Sequence, residues 1–407
     1  MDPDALDRDD PLAAKRAAFD LPDGVIYLDG NSLGPLPRAA ADRLAHAAKE
    51  EWGKLLIRGW NEAGWFDAPQ RIGDRIGRLI GAPAGSVVVA DNTSTNVFKC
   101  VSAALAMRPD RKIVLSDTGN FPTDLYMAQG LIDGLGHGHK LRTVAPAEVE
   151  DAIDEDVALL MLTEVDYRTG RRHDMAALTR RAHELGALTM WDLAHSAGAF
   201  PVDLTGTGAD FAVGCGYKYL NGGPGAPAFV YIRPERQERV RPLLAGWMGH
   251  EAPFAFDLDY RPLPGVGRMR VGTPPVLSLA ALDAALDVWD GVDMDAVRAK
   301  SISLAELFIA EVERLCDGHG LRLVSPRDPA TRGSQVSFAH PQGYAAMQAL
   351  IAEGVIGDFR APDVMRFGFT PLYLSHRDVA EAAKTIARVF DDRLWDRPEF
   401  KTRAAVT

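Results

Sequence analysis

The stretch ALTMWDLAHSAGAF at 187–200, followed after a short turn by ADFAVGCGYKYLNGGPGAPAF at 209–229, decides the fold. In each, a short apolar run ends beside a group with chemistry. Asp192 closes the first run and His195 follows it, while Lys218 stands just beyond the second, between Tyr217 and Tyr219. Apolar runs of this length bounded by turn residues read as buried strands. Ionisable groups at the carboxyl ends of such strands are where open α/β sheets bind ligands.

Outward from this pair, further apolar runs recur: VVVA at 87–90, KIVLS at 112–116, VALLMLT at 157–163 and AFVYI at 228–232. Between them lie helical patterns such as DMAALTRRAHELG, with an acidic cap at its start and a glycine at its end. The alternation predicts an α/β fold, a mostly parallel sheet wrapped by helices. After about residue 265 the texture changes to long helical patterns at 276–290 and 293–316, strands LRLVS and SQVSFA, and a last helix near 377–391. That is the pattern of a smaller α+β domain. The expected division is an N-terminal segment, 1–40, packing on the small domain, a large domain, 41–270, and the small C-terminal domain, 271–407.

Composition narrows the function. The 407 residues are 47% hydrophobic and 25% charged, the range of ordinary soluble globular chains. Lys and Arg number 45 against 56 Asp and Glu, a net charge of −11 with no basic stripe, so nucleic acid is not an expected partner. The start, MDPDALDRDD, is acidic where a secretory leader is basic and then apolar, and no apolar run reaches membrane-spanning length. Cytoplasmic residence without membrane contact is the expectation. Cys100, Cys215 and Cys316 form no CxxC pair, and His137 and His139 in GHGH lack further ligands at metal spacing. No metal site is expected. Gly222, Gly223 and Gly225 match neither a Walker loop nor a dinucleotide fingerprint and read as a turn that packs close to Lys218.

An aspartate and a lysine at neighbouring strand ends are what pyridoxal 5'-phosphate (PLP) requires. The lysine amine forms an imine with the cofactor and carries protons, and the carboxylate keeps the pyridine nitrogen protonated so that the ring accepts electrons. Either residue alone would be unremarkable surface or cap chemistry; the pair, with its tyrosines and glycine-rich turn, is not. A phosphate cradle belongs earlier, where a strand enters a helix. VVVADNTSTNVFKCVSAAL supplies it with Thr93, Ser94 and Thr95; in isolation simple helix capping is the better explanation of the same residues, and the Asp192 and Lys218 pair reverses that preference.

The strings YLDGNSLGPLP, IRGWNEAGW, DNTSTN, NFPTDLY, WDLAHSAG, YKYLNGGPG, GWMGH and MRFGFTPLY, in this order, resemble the kynureninase family over residues from about 20 to the carboxyl terminus. The resemblance implies a homodimeric PLP hydrolase of tryptophan catabolism, with a small-molecule substrate, L-kynurenine, cleaved at Cβ–Cγ to anthranilate and L-alanine. It implies that Lys218 carries the cofactor as a Schiff base, that Asp192 pairs with the pyridinium and that Asp124 lies close by. Thr93, Ser94, Phe121, Pro122, Thr123, Thr163, His195 and Tyr217 become further cofactor contacts, with Phe121 stacking on the ring and Tyr217 reaching the phosphate. Trp247 and Thr273 become phosphate contacts made across the dimer. Arg366 is expected to hold the substrate α-carboxylate in a bidentate fork, with Ser32 and Trp60 lining the substrate pocket. An apolar Trp60 implies preference for kynurenine over its 3-hydroxy form. The rivals are another PLP lyase of the same fold, such as a cysteine desulfurase, and a non-catalytic dimer that kept the fold.

Overall fold

The computed structural model describes residues 2–403. Its centre is a seven-stranded sheet of β1 (Val87–Val89), β2 (Ile113–Asp117), β3 (Lys140–Val144), β4 (Val157–Thr163), β5 (Leu188–Asp192), β6 (Phe211–Gly214) and β7 (Phe229–Ile232), in the order β1-β7-β6-β5-β4-β2-β3. β7 runs antiparallel to both its neighbours, and the other pairings are parallel. The wholly buried β4, β5 and β6 explain their unbroken apolar runs, because helices cover both faces of a parallel sheet. The edge strand β3 has no buried residue and carries Lys140, Arg142 and Thr143, so its sequence, KLRTV, shows no apolar run to mark it.

The helices of ten or more residues are α1 (Ala68–Leu79), α2 (Thr93–Met107), α3 (Pro122–Leu135), α4 (Met175–Glu184), α5 (Val276–Ala285), α6 (Met294–Leu315), α7 (Gly343–Ala352) and α8 (His376–Asp391). α2 begins where β1 ends, because Asn92 caps it by accepting from the Thr95 amide at 2.9 Å. α3 begins at Pro122, whose fixed φ and missing N–H suit a first helical position. α5 packs against α1 and the Arg38–His46 helix, so residues just past 270 lie against the large sheet's helical layer.

The C-terminal part builds an antiparallel sheet from β8 (Arg322–Leu323), β9 (Gln335–Ala339), β10 (Asp358–Arg360) and β11 (Val364–Gly368), in the order β8-β9-β11-β10. The predicted strand LRLVS shrinks to two residues. α6 and α8 pack together beside this sheet, and Phe308 of α6, fully buried, meets the rings of Phe338, Phe367 and Phe369 at centroid distances of 5.0–6.2 Å.

The amino-terminal segment joins the C-terminal part. Ile26–Tyr27 pairs in parallel with Val355–Ile356, and the Pro3–Arg8 helix lies on α8, where Asp7 accepts from the His376 amide at 2.7 Å. The following loop then crosses to the large sheet. The Leu28 carbonyl accepts from the Gly368 amide at 2.6 Å, and the Gly34 amide donates to the Tyr217 carbonyl at 2.7 Å. A Cβ on Gly34 would lie 2.4 Å from the Lys218 carbonyl oxygen, so only glycine permits this approach. One loop therefore links the small sheet to the turn that carries Lys218.

Candidate active site

Thr163 and Asp192 are register partners at the carboxyl ends of β4 and β5, and Lys218 follows β6. The Lys218 Nζ lies 2.9 Å from Nε2 of His195, while Nδ1 of His195 is buried without a partner. Burial, and next the charge on Lys218, push the His195 imidazole well below its usual range, with Arg366 and Arg360 adding to the effect. The ring is therefore neutral, and Nε2 accepts from the lysine amine.

Asp192 is buried, and one of its oxygens accepts from the Ala194 amide at 2.8 Å. Asp124, in the first turn of α3, is also buried, with its Oδ2 unpartnered among the described residues, and lies close enough to Asp192 for each carboxyl to shift the other. Burial raises both carboxyls. The Asp192 charge raises Asp124 further, whereas Lys218 pulls both down. Two carboxylates in one apolar site cannot both ionise cheaply, so the pair shares a proton held on Asp124.

At one end of this site the amides of Thr93 and Ser94 open α2 with no partner among the described residues, since Asn92 serves Thr95 alone. Helix N-terminal amides of this kind bind phosphate dianions. Phe121, 43% exposed, sets its ring edge-on to Tyr167 at 5.2 Å. Pro122 and Thr123, both half-buried, open α3 directly after it. The Thr163 hydroxyl donates to the Val165 carbonyl at 3.2 Å, and burial raises the Tyr217 phenol above its usual range.

Arg366 is 1% exposed, and here the structure amends the expected open fork. Asp358, directly opposite on β10, takes the Nε–Nη2 edge: Nε donates to Oδ1 at 2.6 Å and Nη2 to Oδ2. Nη2 also reaches Ser32 Oγ at 3.0 Å, and Nη1 donates to the Tyr167 carbonyl. Of its five N–H groups only one, on Nη1, is left for a ligand, and a bidentate ligand would have to displace Ser32 from Nη2. Ser32 in turn donates to Asp358 at 2.6 Å. Burial and then the Asp358 charge push the neighbouring Asp29 up to about 7. Sequence reasoning missed Asp358, Asp29, Arg360 and Tyr167. Asp358 had a signal, since a hairpin through GDFRAPDVMRFG places it across from Arg366.

Three predicted residues are not joined to this cluster within one chain. Trp60 packs edge-on to Trp65 at 6.1 Å, whose indole donates to Glu51 at 2.9 Å. Trp247 is 39% exposed and packs on Phe254, and Thr273 is exposed. The three cysteines are all buried, and burial pushes Cys100 up to about 12 and Cys316 up to about 11, which removes thiolate nucleophiles.

Residues 297–386 match the family model described as the kynureninase C-terminal domain. Kynureninase of Burkholderia pseudomallei (strain 1106a) is 53% identical over 408 aligned positions, covering 99% of this chain and 98% of the relative. That of Pseudomonas fluorescens is 52% identical over the same shares. Among solved structures, the Escherichia coli cysteine desulfurase CsdA superposes with a TM-score of 0.77 at 21% identity, covering 93% of this chain and 98% of that one. A cysteine desulfurase from Thermococcus onnurineus NA1 gives 0.75 at 19%, covering 96% and 99%. At such identities the structures share the fold alone, whereas the near-full-length relatives at 53% identity fix the family: the chain belongs to the kynureninases.

Proposed function

We propose how these residues serve an activity that the family assignment supplies: PLP-dependent hydrolysis of L-kynurenine to anthranilate and L-alanine. The observation that carries the residue roles is the buried Asp124–Asp192 pair beside Lys218 and the unpartnered Nδ1 of His195. A ring with a protonated nitrogen satisfies such a pair, and the free α2 amides suit a phosphate, so the residues present fit the cofactor. Lys218, Asp192, Asp124, His195, Thr163, Phe121, Pro122, Thr123, Thr93, Ser94 and Tyr217 would hold it.

When bound, PLP supplies the electron sink for the substrate's Cα and Cβ and the carbonyl that Lys218 and the substrate amine occupy in turn. Asp192, backed by Asp124, holds a proton at the ring nitrogen. Lys218, freed by the substrate amine, moves the Cα proton, and neutral His195 offers that amine an acceptor without a competing charge. Water adds its oxygen to the side-chain carbonyl carbon, the Cβ–Cγ bond breaks with its electron pair on Cβ, and Cβ takes a proton. Arg366 holds the α-carboxylate by its remaining Nη1 N–H and, where the carboxylate displaces Ser32, by Nη2 as well.

The enzyme works as a homodimer, with Trp247 and Thr273 completing the partner's phosphate site. Their exposure supports this, as do the exposed apolar side chains Trp52, Leu56 and Ile57. The three-part division at 1–40, 41–270 and 271–407 stands as a proposal, supported by the pairing of Ile26–Tyr27 with Val355–Ile356. Among the described residues no helix is long and apolar enough to cross a membrane, and a cytoplasmic site of action is proposed. Trp60 disfavours the 3-hydroxylated substrate, which equal kcat/KM values for the two kynurenines would refute. Anthranilate fluorescence on adding kynurenine to the PLP-loaded protein tests the whole reading. No fluorescence from folded, cofactor-loaded protein would overturn it.

A further inference from the structure

Asp358 does not serve Arg366 alone. Its Oδ2 also lies 2.8 Å from Nη2 of Arg360, two residues along β10, and accepts from Ser32 at 2.6 Å. Two guanidiniums therefore share one carboxylate, and both are cations under any working condition. Asp29 is the other acid beside them, and it holds its proton up to about pH 7 because burial and Asp358 disfavour its charge. Below that pH the cluster has one positive charge that no described side chain neutralises. Arg360 is the more open of the two: its side chain is 34% exposed against 1% for Arg366, and its remaining bond is from Nη1 to the Phe359 carbonyl at 2.9 Å. Both cations act on His195, which touches Lys218, so Arg360 lies within electrostatic reach of the reacting groups.

We propose that Arg360 is the second cation of the substrate carboxylate site, tied to Arg366 by Asp358, so that the α-carboxylate of kynurenine neutralises a two-arginine cluster. The inference rests on the assignment of Arg366 to that carboxylate. Asp358 fixes both guanidinium planes, and a substrate anion replaces the missing second counter-charge. The surplus charge also gives the site a means of rejecting amines without a carboxylate, since such a ligand leaves the surplus in place.

Kinetics of the holoenzyme on L-kynurenine and on its analogue lacking the α-carboxylate test this. Arg360→Gln is expected to raise KM for kynurenine about 10-fold, the loss of a charge-assisted contact, while kcat changes less than about 3-fold. The change in kcat/KM for the analogue stays within about 2-fold, because the lost contact needs the carboxylate. Arg360→Lys, which keeps the charge, recovers part of the loss and serves as the comparison if the glutamine variant melts early. An unchanged KM, or equal losses on both substrates, overturns the role of Arg360. Arg366→Gln separates the two claims. If it alone discriminates between the substrates, only Arg360 is excluded; if neither variant does, the carboxylate site itself is misplaced.

Discussion

Nζ of Lys218 and Nε2 of His195 lie 2.9 Å apart, in a site where burial keeps the imidazole uncharged. The lysine amine thus has an acceptor that does not compete with it for a proton. Lys218→Ala is expected to cut kcat by at least about 10³-fold, as for loss of a proton carrier that is also the covalent anchor. The melting temperature of the cofactor-free protein should hold, because Lys218 is half-buried at a turn and contributes little packing. Borohydride reduction followed by mass spectrometry checks it: cofactor mass still fixed to the variant, with normal turnover, excludes Lys218.

The Asp124–Asp192 pair gives the cofactor-free protein a pH signature. Both carboxyls are raised in the folded state, so between the ordinary carboxylate value of 3.8 and their raised values the folded protein binds more protons than the unfolded chain. Stability therefore falls as pH rises through that window, by at most about 1.4 kcal/mol per pH unit for each proton involved. Asp124→Asn should flatten the slope. Denaturant titrations of the cofactor-free protein from pH 4 to 7 measure it, and a slope unchanged in the variant contradicts the shared proton.

How legible this was depends on where each group's partners come from. Asp192 ends, and Lys218 shortly follows, strands that are buried on both faces, so an apolar run pointed straight at them. Asp124 was placed only by resemblance, since nothing in NFPTDLY shows that α3 turns its first carboxylate onto β5. Asp358 left only the trace of a short hairpin, since β10 is three residues long, and Asp29 was invisible because it comes beside Arg366 only after the chain's two ends pair through Ile26–Tyr27 and Val355–Ile356. Edge strand β3 was missed for its polar residues. Local patterns report burial, whereas contacts between distant segments leave no local trace.

Asp29 supplies a second pH dependence, on substrate binding. Its carboxyl, raised to about 7, is neutral below that pH and ionises above it, placing a negative charge among Asp358, Arg360, Arg366 and Ser32. KM for kynurenine should rise as pH passes upward through about 7, and Asp29→Asn should remove that rise. Parallel pH profiles of KM for native enzyme and variant would show it, and superimposable profiles would release Asp29 from the site.

Asp358 bears on stability as well as binding. Asp358→Ala leaves the Arg366 guanidinium buried with a serine hydroxyl and a carbonyl but no carboxylate. Breaking a buried pair on one side costs about 3–5 kcal/mol. Because Arg360 and Ser32 also lose their acceptor, the upper part of that range is expected. Removing both charges, as Asp358→Leu with Arg366→Met, should cost less than the single change. Urea melts of the three proteins decide the point, and a double variant less stable than Asp358→Ala would show that the pair itself is net stabilising.

Trp247 lies on the surface of its own chain, packed on Phe254, and its proposed role is exercised on a partner. This permits a test by mixing. A Lys218→Ala chain has no working lysine but an intact Trp247, and a Trp247→Ala chain has the reverse. Each homodimer should be impaired at both sites. Subunits exchanged at equal concentration form mixed dimers as half of the population, and in each of these one site recovers both groups, so about a quarter of native activity returns. If the two groups belonged to the same chain, no mixed site would hold both and exchange would restore nothing. Activity measured after co-refolding, alongside light scattering for mass, therefore separates a shared site from a self-contained one: activity that stays at the average of the two homodimers rules out the contribution of Trp247 across the interface.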